Sequence, residues 1–221
     1  EHTINAIGIL RKIDSGEYAE QFPLANKVIK NIVSKKVLYV SLFLHDIAKG
    51  RGGNHSILGG EVAKKLCPRF LMTADETETV VWLVENHLLL SQVAFKRDLD
   101  DPKTIIDLKN KIQSAELLRL LYVLTVSDIS AVGPDIWNSW KANLLKIVYD
   151  ETLIAINGGG DEKSRQIREK NTKDKLRQAL QEWPTTLIEK HSSRFYPYYW
   201  TNVSSELHLR HAKLIHEADE F

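Results

Sequence analysis

The chain has 221 residues, 43% of them apolar, which suits one domain with a sizeable core or one domain with a small appendage. Thirty basic against twenty-nine acidic residues leave a net charge of +1, which argues against an extended nucleic-acid surface and leaves room for a local phosphate pocket. A single cysteine, Cys67, rules out an internal disulfide framework and a cysteine-rich zinc site, and fits a reducing, cytoplasmic compartment. Glu1-His2-Thr3 does not begin a secretory signal. No apolar stretch reaches the roughly 20 residues that span a bilayer, so no membrane partner is expected.

Ile4, Ile7, Leu10 and Ile13 recur at intervals of three, and Pro23 stands near the start of a second apolar segment that runs to Val33. Residues 36–48, KVLYVSLFLHDIA, predict a deeply buried helix ended by Gly50. The stretch HDIAKGRGGNH (45–55) then places three glycines around Lys49 and Arg51, and a helix restarts near His55 or Ser56, running to Leu66 before Pro68. Residues 75–90 start with Asp75, Glu76 and Glu78, as a helix N-terminus prefers, and carry Val80, Leu83, Val84 and His87 on one face. Pro102 fits the first turn of the next helix. Nearly all-apolar 115–131 and the long segment 135–156 follow, before the break at Gly158-Gly159-Gly160. The charged segment 161–182 predicts a solvated helix, and 204–219 a last one. With no alternating strand pattern the expected class is all-α, with a core over 1–156 and a helical extension over 161–221.

Chemistry concentrates where packing wants none. His45 and Asp46 follow VLYVSLFL, Asp128 follows LLRLLYVLTVS, His87 shares the Val80/Val84 face, and His2 precedes the Ile4/Ile7/Leu10 face. An unmet buried hydrogen bond costs roughly 1–3 kcal/mol and a buried charge more. Two buried carboxylates repel unless something positive lies between them. A divalent cation answers both demands, and imidazole with carboxylate suits Mn²⁺, Fe²⁺, Zn²⁺ or, with more oxygen, Mg²⁺. A lone histidine is more often a satisfied core or surface group, and only the adjacent His45–Asp46 pair tilts the balance. His55 and His87 are candidates for a second ion, with Asp46 as the bridge; paired ions can activate a water and stabilise a phosphoryl oxygen. Glycines 50, 52 and 53 permit positive φ, so Lys49, Arg51 and nearby N–H groups form a candidate phosphate cradle, although an ordinary helix stop explains the same loop.

Other features read as structural. Lys96-Arg97 suits a solvated turn, Trp137 and Trp140 suit core or groove walls, and Cys67 suits inert packing. His208, His211 and His216 suit a polar surface helix. Neither G-x-S-x-G nor H-E-x-x-H occurs.

The order His2, His45-Asp46, Asp128 resembles the HD superfamily of metal-dependent phosphohydrolases. LFLHDIAKGRGGNHSILGG (42–60), VVWLVENHLLLS (80–91), KRDLDDPKTI (96–105) and LRLLYVLTVSDISAVGPDIWNSWKANLL (118–145) resemble, more narrowly, the HD domain of bacterial uridylyltransferase/uridylyl-removing enzymes. The resemblance implies a helical bundle and a phosphodiesterase that removes UMP from a tyrosyl residue of the PII signal protein. It implies that His2, His45, Asp46 and Asp128 hold a metal ion, and that His55 and His87 match the further histidines of two-ion relatives. Mn²⁺ or Mg²⁺ is favoured, with Fe²⁺ or Zn²⁺ as alternatives, and Asp46, Lys49 and Arg51 are the expected catalytic residues. Asn54 stands where the related loop commonly has Asp. The family enzymes also carry nucleotidyltransferase and ACT domains, absent from this sequence, so the chain is expected to be a domain of a larger enzyme and transferase activity is not assigned to it. Two competing readings stay open at this point: a hydrolase of nucleotides or small phosphoesters, and a non-catalytic regulatory scaffold.

Overall fold

A computed structural model describes residues 1–133, 135–159 and 162–219, the side chains of 162–165, 198 and 202 excepted. Its elements are helical throughout: α1 (His2–Ser15), α2 (Pro23–Ile29), α3 (Lys35–Leu44), α4 (His55–Leu66), α5 (Ala74–Glu85), α6 (Leu89–Lys96), α7 (Pro102–Ile112), α8 (Ala115–Ser130), α9 (Ser139–Ile156), α10 (Glu162–Ala179), α11 (Thr185–Ser192), α12 (Pro197–Asn202) and α13 (Ser205–Asp219). A short 3₁₀ turn, Cys67–Phe70, follows α4. No strand occurs among the described residues, in keeping with the all-α expectation and the helical periodicity.

The main core is built around α8, in which every residue from Leu120 to Ser127 is buried. So apolar a helix has no solvent stripe and must be enclosed; α1, α2, α3 and α9 are among the helices packed around it. Two of its buried hydroxyls are satisfied within the helix: Thr125 donates to the Leu121 carbonyl at 2.7 Å and Ser127 to that of Val123 at 2.9 Å. Leu38, Leu42 and Leu44 of α3 are fully buried against this core. Each such side chain contributes about 1.5–3 kcal/mol relative to exposure.

Several boundaries differ from the sequence expectation, and two of them matter for function. The predicted helix 36–48 stops at Leu44, after which Ile47, Lys49 and Arg51 donate to carbonyls three residues back at 2.9–3.2 Å. That tighter winding turns the chain out of the helix at His45. The predicted 75–90 helix stops at Glu85, so His87 lies in a turn between α5 and α6 rather than on a helix face. The predicted 135–156 helix, α9, begins at Ser139 rather than 135, with Asn138 accepting the Lys141 N–H at 2.9 Å as its cap. Pro102 does occupy the first turn of α7. Within the expected glycine break, Gly158 has φ +88°, whereas Gly160 and Asp161 lie outside the described residues.

A second, smaller hydrophobic cluster joins Leu176, Leu180, Ile188, Trp200 and Ala212 from α10 to α13. It corrects the reading of the C-terminal histidines. His208 is only 1% exposed, with Nε2 donating to the Tyr199 carbonyl at 3.0 Å, and so is not a surface residue. The charged composition of α13 hid the position: one face carries His208 and Ala212 inward while the rest is solvated. His191 of α11 is likewise buried at 4% exposure. No helix among the described residues is long and apolar enough to cross a membrane.

Candidate metal centre

His45 and His87 are oriented by the same local device. The last carbonyls of a helix have no intrahelical partner. Where α3 ends, the Leu42 carbonyl accepts Nδ1–H of His45 at 2.6 Å; where α5 ends, the Val84 carbonyl accepts Nδ1–H of His87 at 2.6 Å. Both rings are buried, 0% and 1% exposed. Each is thereby fixed in the tautomer whose Nε2 carries a lone pair, the arrangement that imidazole ligands of metals use. These two carbonyls went unrecognised in the sequence; a histidine placed just beyond the end of an apolar helix was the available signal.

Four imidazoles form a row in the order His2, His45, His87, His55, with neighbouring ring centroids 5.4–5.5 Å apart and edge-to-face. Asp46 faces the row with both oxygens. Oδ2 lies 3.8 Å from Nε2 of His45, and Oδ1 lies 3.9 Å from Nε2 of both His55 and His87. Two candidate ligand groups result, His2/His45/Asp46 and Asp46/His55/His87, each with its ligand atoms within 4.8 Å of one another. Asp46 is common to both.

Asp128 reaches the first group from α8. Its Oδ1 accepts Nε2–H of His2 at 2.8 Å and lies 3.3 Å from Nε2 of His45. The latter approach lacks hydrogen-bond alignment, so Nε2 of His45 is a fully buried nitrogen without a hydrogen-bond partner. A buried lone pair of this kind is costly unless something electropositive meets it. The donor set of four imidazoles and two carboxylates therefore fits one or two divalent cations. His2 would release the proton it shares with Asp128 on binding one.

The electrostatics agree. Burial opposes ionisation of Asp128, yet His45 and His2 outweigh it and hold the carboxyl below its ordinary range. Burial likewise opposes the Asp46 carboxylate, and Lys49 together with His45 and His87 lowers it. Burial depresses His87, whereas for His45 the effect of burial is overcome by Asp128, the Leu42 carbonyl and Asp46, which raise it.

The loop after Asp46 has its three glycines in the left-handed region, Gly50 at φ +83°, Gly52 at +78° and Gly53 at +74°. Asn54 caps α4, its Oδ1 accepting the N–H groups of Ser56 at 3.1 Å and Ile57 at 3.4 Å. An Asn does this as well as an Asp, so the substitution noted in the sequence preserves the cap. It leaves His55 as the first residue of α4. Lys49 is exposed and its Nζ lies 2.7 Å from Oδ2 of Asp46; Arg51 is exposed on the same turn.

Close packing of α4 on α5 brings His55 to His87. A Cβ at Gly59 would lie 2.9 Å from Val84 Cγ1, and one at Gly60 would lie 2.6 Å from Glu85 Cγ. In sequence this pair passed for part of an ordinary helix. Cys67 is buried, and burial raises its thiol pKa, as an inert packing residue requires. Trp137 packs on Phe22 and walls a cleft of about 450 Å³; Trp140 stacks on Phe95 in another of about 690 Å³.

Comparison with known proteins agrees with this geometry. The HD domain family matches residues 1–127. The chain is 50% identical over 215 residues to the bifunctional uridylyltransferase/uridylyl-removing enzyme of Azospirillum brasilense, covering 97% of this chain and 23% of that protein. It is 46% identical over 218 residues to the enzyme of the same name from Rhodospirillum rubrum, covering 99% and 23%. The chain thus spans about a quarter of the length of these relatives. With the HD pair at the turn after α3, a second carboxylate from α8, and a family match over more than half its length, the chain belongs to the HD domain family.

Proposed function

We propose that the chain is a divalent-metal-dependent phosphodiesterase that removes UMP from a tyrosyl residue of the PII signal protein. The observation that carries the reading is Asp46, one carboxylate shared by two ligand groups, with the orienting nitrogens of His45 and His87 already committed to backbone carbonyls. The uridylyl-removing part of the relatives' names supports the substrate class. The resemblance of the loop and of the WNSWK stretch supports PII as its bearer.

In this reading His2, His45, Asp46 and Asp128 hold one ion, and His55, His87 and Asp46 a second. Mn²⁺ or Mg²⁺ is favoured, Fe²⁺ or Zn²⁺ being the alternatives. When bound, the ions supply an activated water and charge stabilisation at phosphorus. Lys49 and Arg51 neutralise phosphate charge as it shifts toward the leaving tyrosyl oxygen. A phenol of pKa near 10 is a fair leaving group, so a strong general acid is not required. The chain is read as an HD core over 1–156 with an extension over 161–221 packed on it, acting in the cytoplasm beside nucleotidyltransferase and ACT domains of a larger enzyme. The two hydrophobic clusters support that division.

The test is hydrolysis of uridylylated PII, with free and cyclic nucleotides alongside, under Mn²⁺ or Mg²⁺. Release of UMP from the protein conjugate, abolished by chelator, is expected. Turnover of free nucleotides with none on the conjugate would move the assignment to a small phosphoester hydrolase. Ligand binding without any hydrolysis would leave a regulatory scaffold.

A further inference from the structure

Lys49 bears on the metal centre in a way that the ligand set does not reveal. Its ammonium lies 2.7 Å from Oδ2 of Asp46, the oxygen facing His45 and hence the His2/His45 group. A cation on that oxygen stands roughly 2.0–2.2 Å from it. An ammonium kept at its present distance would then lie within about 5 Å of a divalent ion, a like-charge contact. The lysine is free to move: its side chain is 68% exposed, and Gly50 follows it at φ +83°, with nothing within 4 Å of where a Cβ would stand. Asp46, in contrast, is held at 12% side-chain exposure. Lys49 is therefore the partner that yields.

We propose that Lys49 is a displaceable counter-ion of Asp46. It pairs with the carboxylate in the metal-free protein and leaves it when a divalent cation binds, so that its ammonium is turned toward substrate phosphate only in the loaded state. The proposal rests on the metal-centre reading above. Two consequences are separate from catalysis. Breaking the Lys49–Asp46 pair opposes metal binding, so a side chain without charge at 49 raises metal affinity. Loading also frees the amine.

The test titrates Mn²⁺ into the metal-free protein and compares wild type with Lys49→Met, which keeps the stem, and Lys49→Arg, which keeps the charge, after thermal melts establish that each is folded. Lys49→Met is expected to bind Mn²⁺ about 3- to 10-fold more tightly, as loss of a partly exposed charged pair implies, and Lys49→Arg no more tightly than wild type. In wild type, labelling of Lys49 by an amine-reactive reagent, read by mass spectrometry against Lys64, should accelerate on adding Mn²⁺. Unchanged or weaker affinity in Lys49→Met, or labelling that slows with Mn²⁺, overturns the proposal. Should Lys49→Met be unfolded, the labelling measurement decides alone. Wild type that binds no Mn²⁺ at all overturns the metal-centre reading instead, so the two failures are distinct.

Discussion

Alanine at Gly59 and at Gly60 should have opposite effects on stability, although the two glycines are adjacent, buried and on the same helix. At Gly59 the new methyl meets Val84 Cγ1 at 2.9 Å. Val84 is fully buried and β-branched, so it has no free rotamer to retreat into. Overpacking of this kind costs about 1–3 kcal/mol, and the better helix propensity of alanine returns about 0.8–1. The net loss is about 1 kcal/mol, worth roughly 2–4 °C in Tm for a chain of this size. At Gly60 the obstruction is Glu85 Cγ and Oε1 at 2.6 Å, atoms of an exposed, unbranched side chain that can swing aside by rotation about χ1. There the propensity gain stands and the variant should match or exceed wild type by up to about 1 kcal/mol. Thermal melts of both metal-free variants, followed by metal analysis, provide the assay. Gly59→Ala should also lose the second ion preferentially, because pushing α4 off α5 separates His55 from His87, whose rings are now 5.4 Å apart. A Gly59→Ala protein melting at or above Gly60→Ala would refute the packing account of how the second ligand group is assembled.

Asp46→Ala should lower metal content at both groups together and nearly abolish release of UMP; a folded variant with wild-type activity would show the bridge to be wrong. Arg51→Ala should leave metal content unchanged and slow kcat/KM by about 10- to 150-fold, the loss of one charge-assisted contact of roughly 1.5–3 kcal/mol; no change in rate would remove Arg51 from the phosphate cradle. Acid should loosen the C-terminal cluster. Burial, with Arg194, His208 and His211 adding for His191 and His211 adding for His208, lowers both histidines below their ordinary value. In the unfolded extension they take up protons near pH 6.5, so stability is complete above that pH and is lost as pH falls from 6.5 through the lowered folded values. Hydrogen exchange in α11 and α13 should therefore quicken relative to α8 between pH 7.5 and 5, and exchange that stays constant would contradict the buried, neutral state.

Helical class, the candidate ligands His45, Asp46, His87 and Asp128, and the break near Gly158 were legible in sequence because they depend on local pattern. Apolar residues at helical spacing report a buried face wherever the helix packs, and a charged pair at the end of VLYVSLFL is conspicuous whatever surrounds it. The family resemblance added the expectation of a PII substrate, which spacing could not supply. Less legible was what depends on a contact between distant segments. Whether α3 ends at Leu44 or four residues later decides which carbonyl is free to receive Nδ1 of His45, and that ending is set by how the turn packs, not by propensity. The inward face of α13 was invisible because the aromatic side chains that bury His208, Tyr199 and Trp200, lie on another helix. The same holds for Gly59 and Gly60: composition says only that they weaken a helix, and it takes α5 alongside to show that they permit its approach. Sequence by itself determined which groups would be expensive to bury unpaired. Tertiary structure decided that Asp46 turns one oxygen to His45 and the other to His55 and His87, because the direction of a side chain is fixed only once the helices on both sides have closed around it.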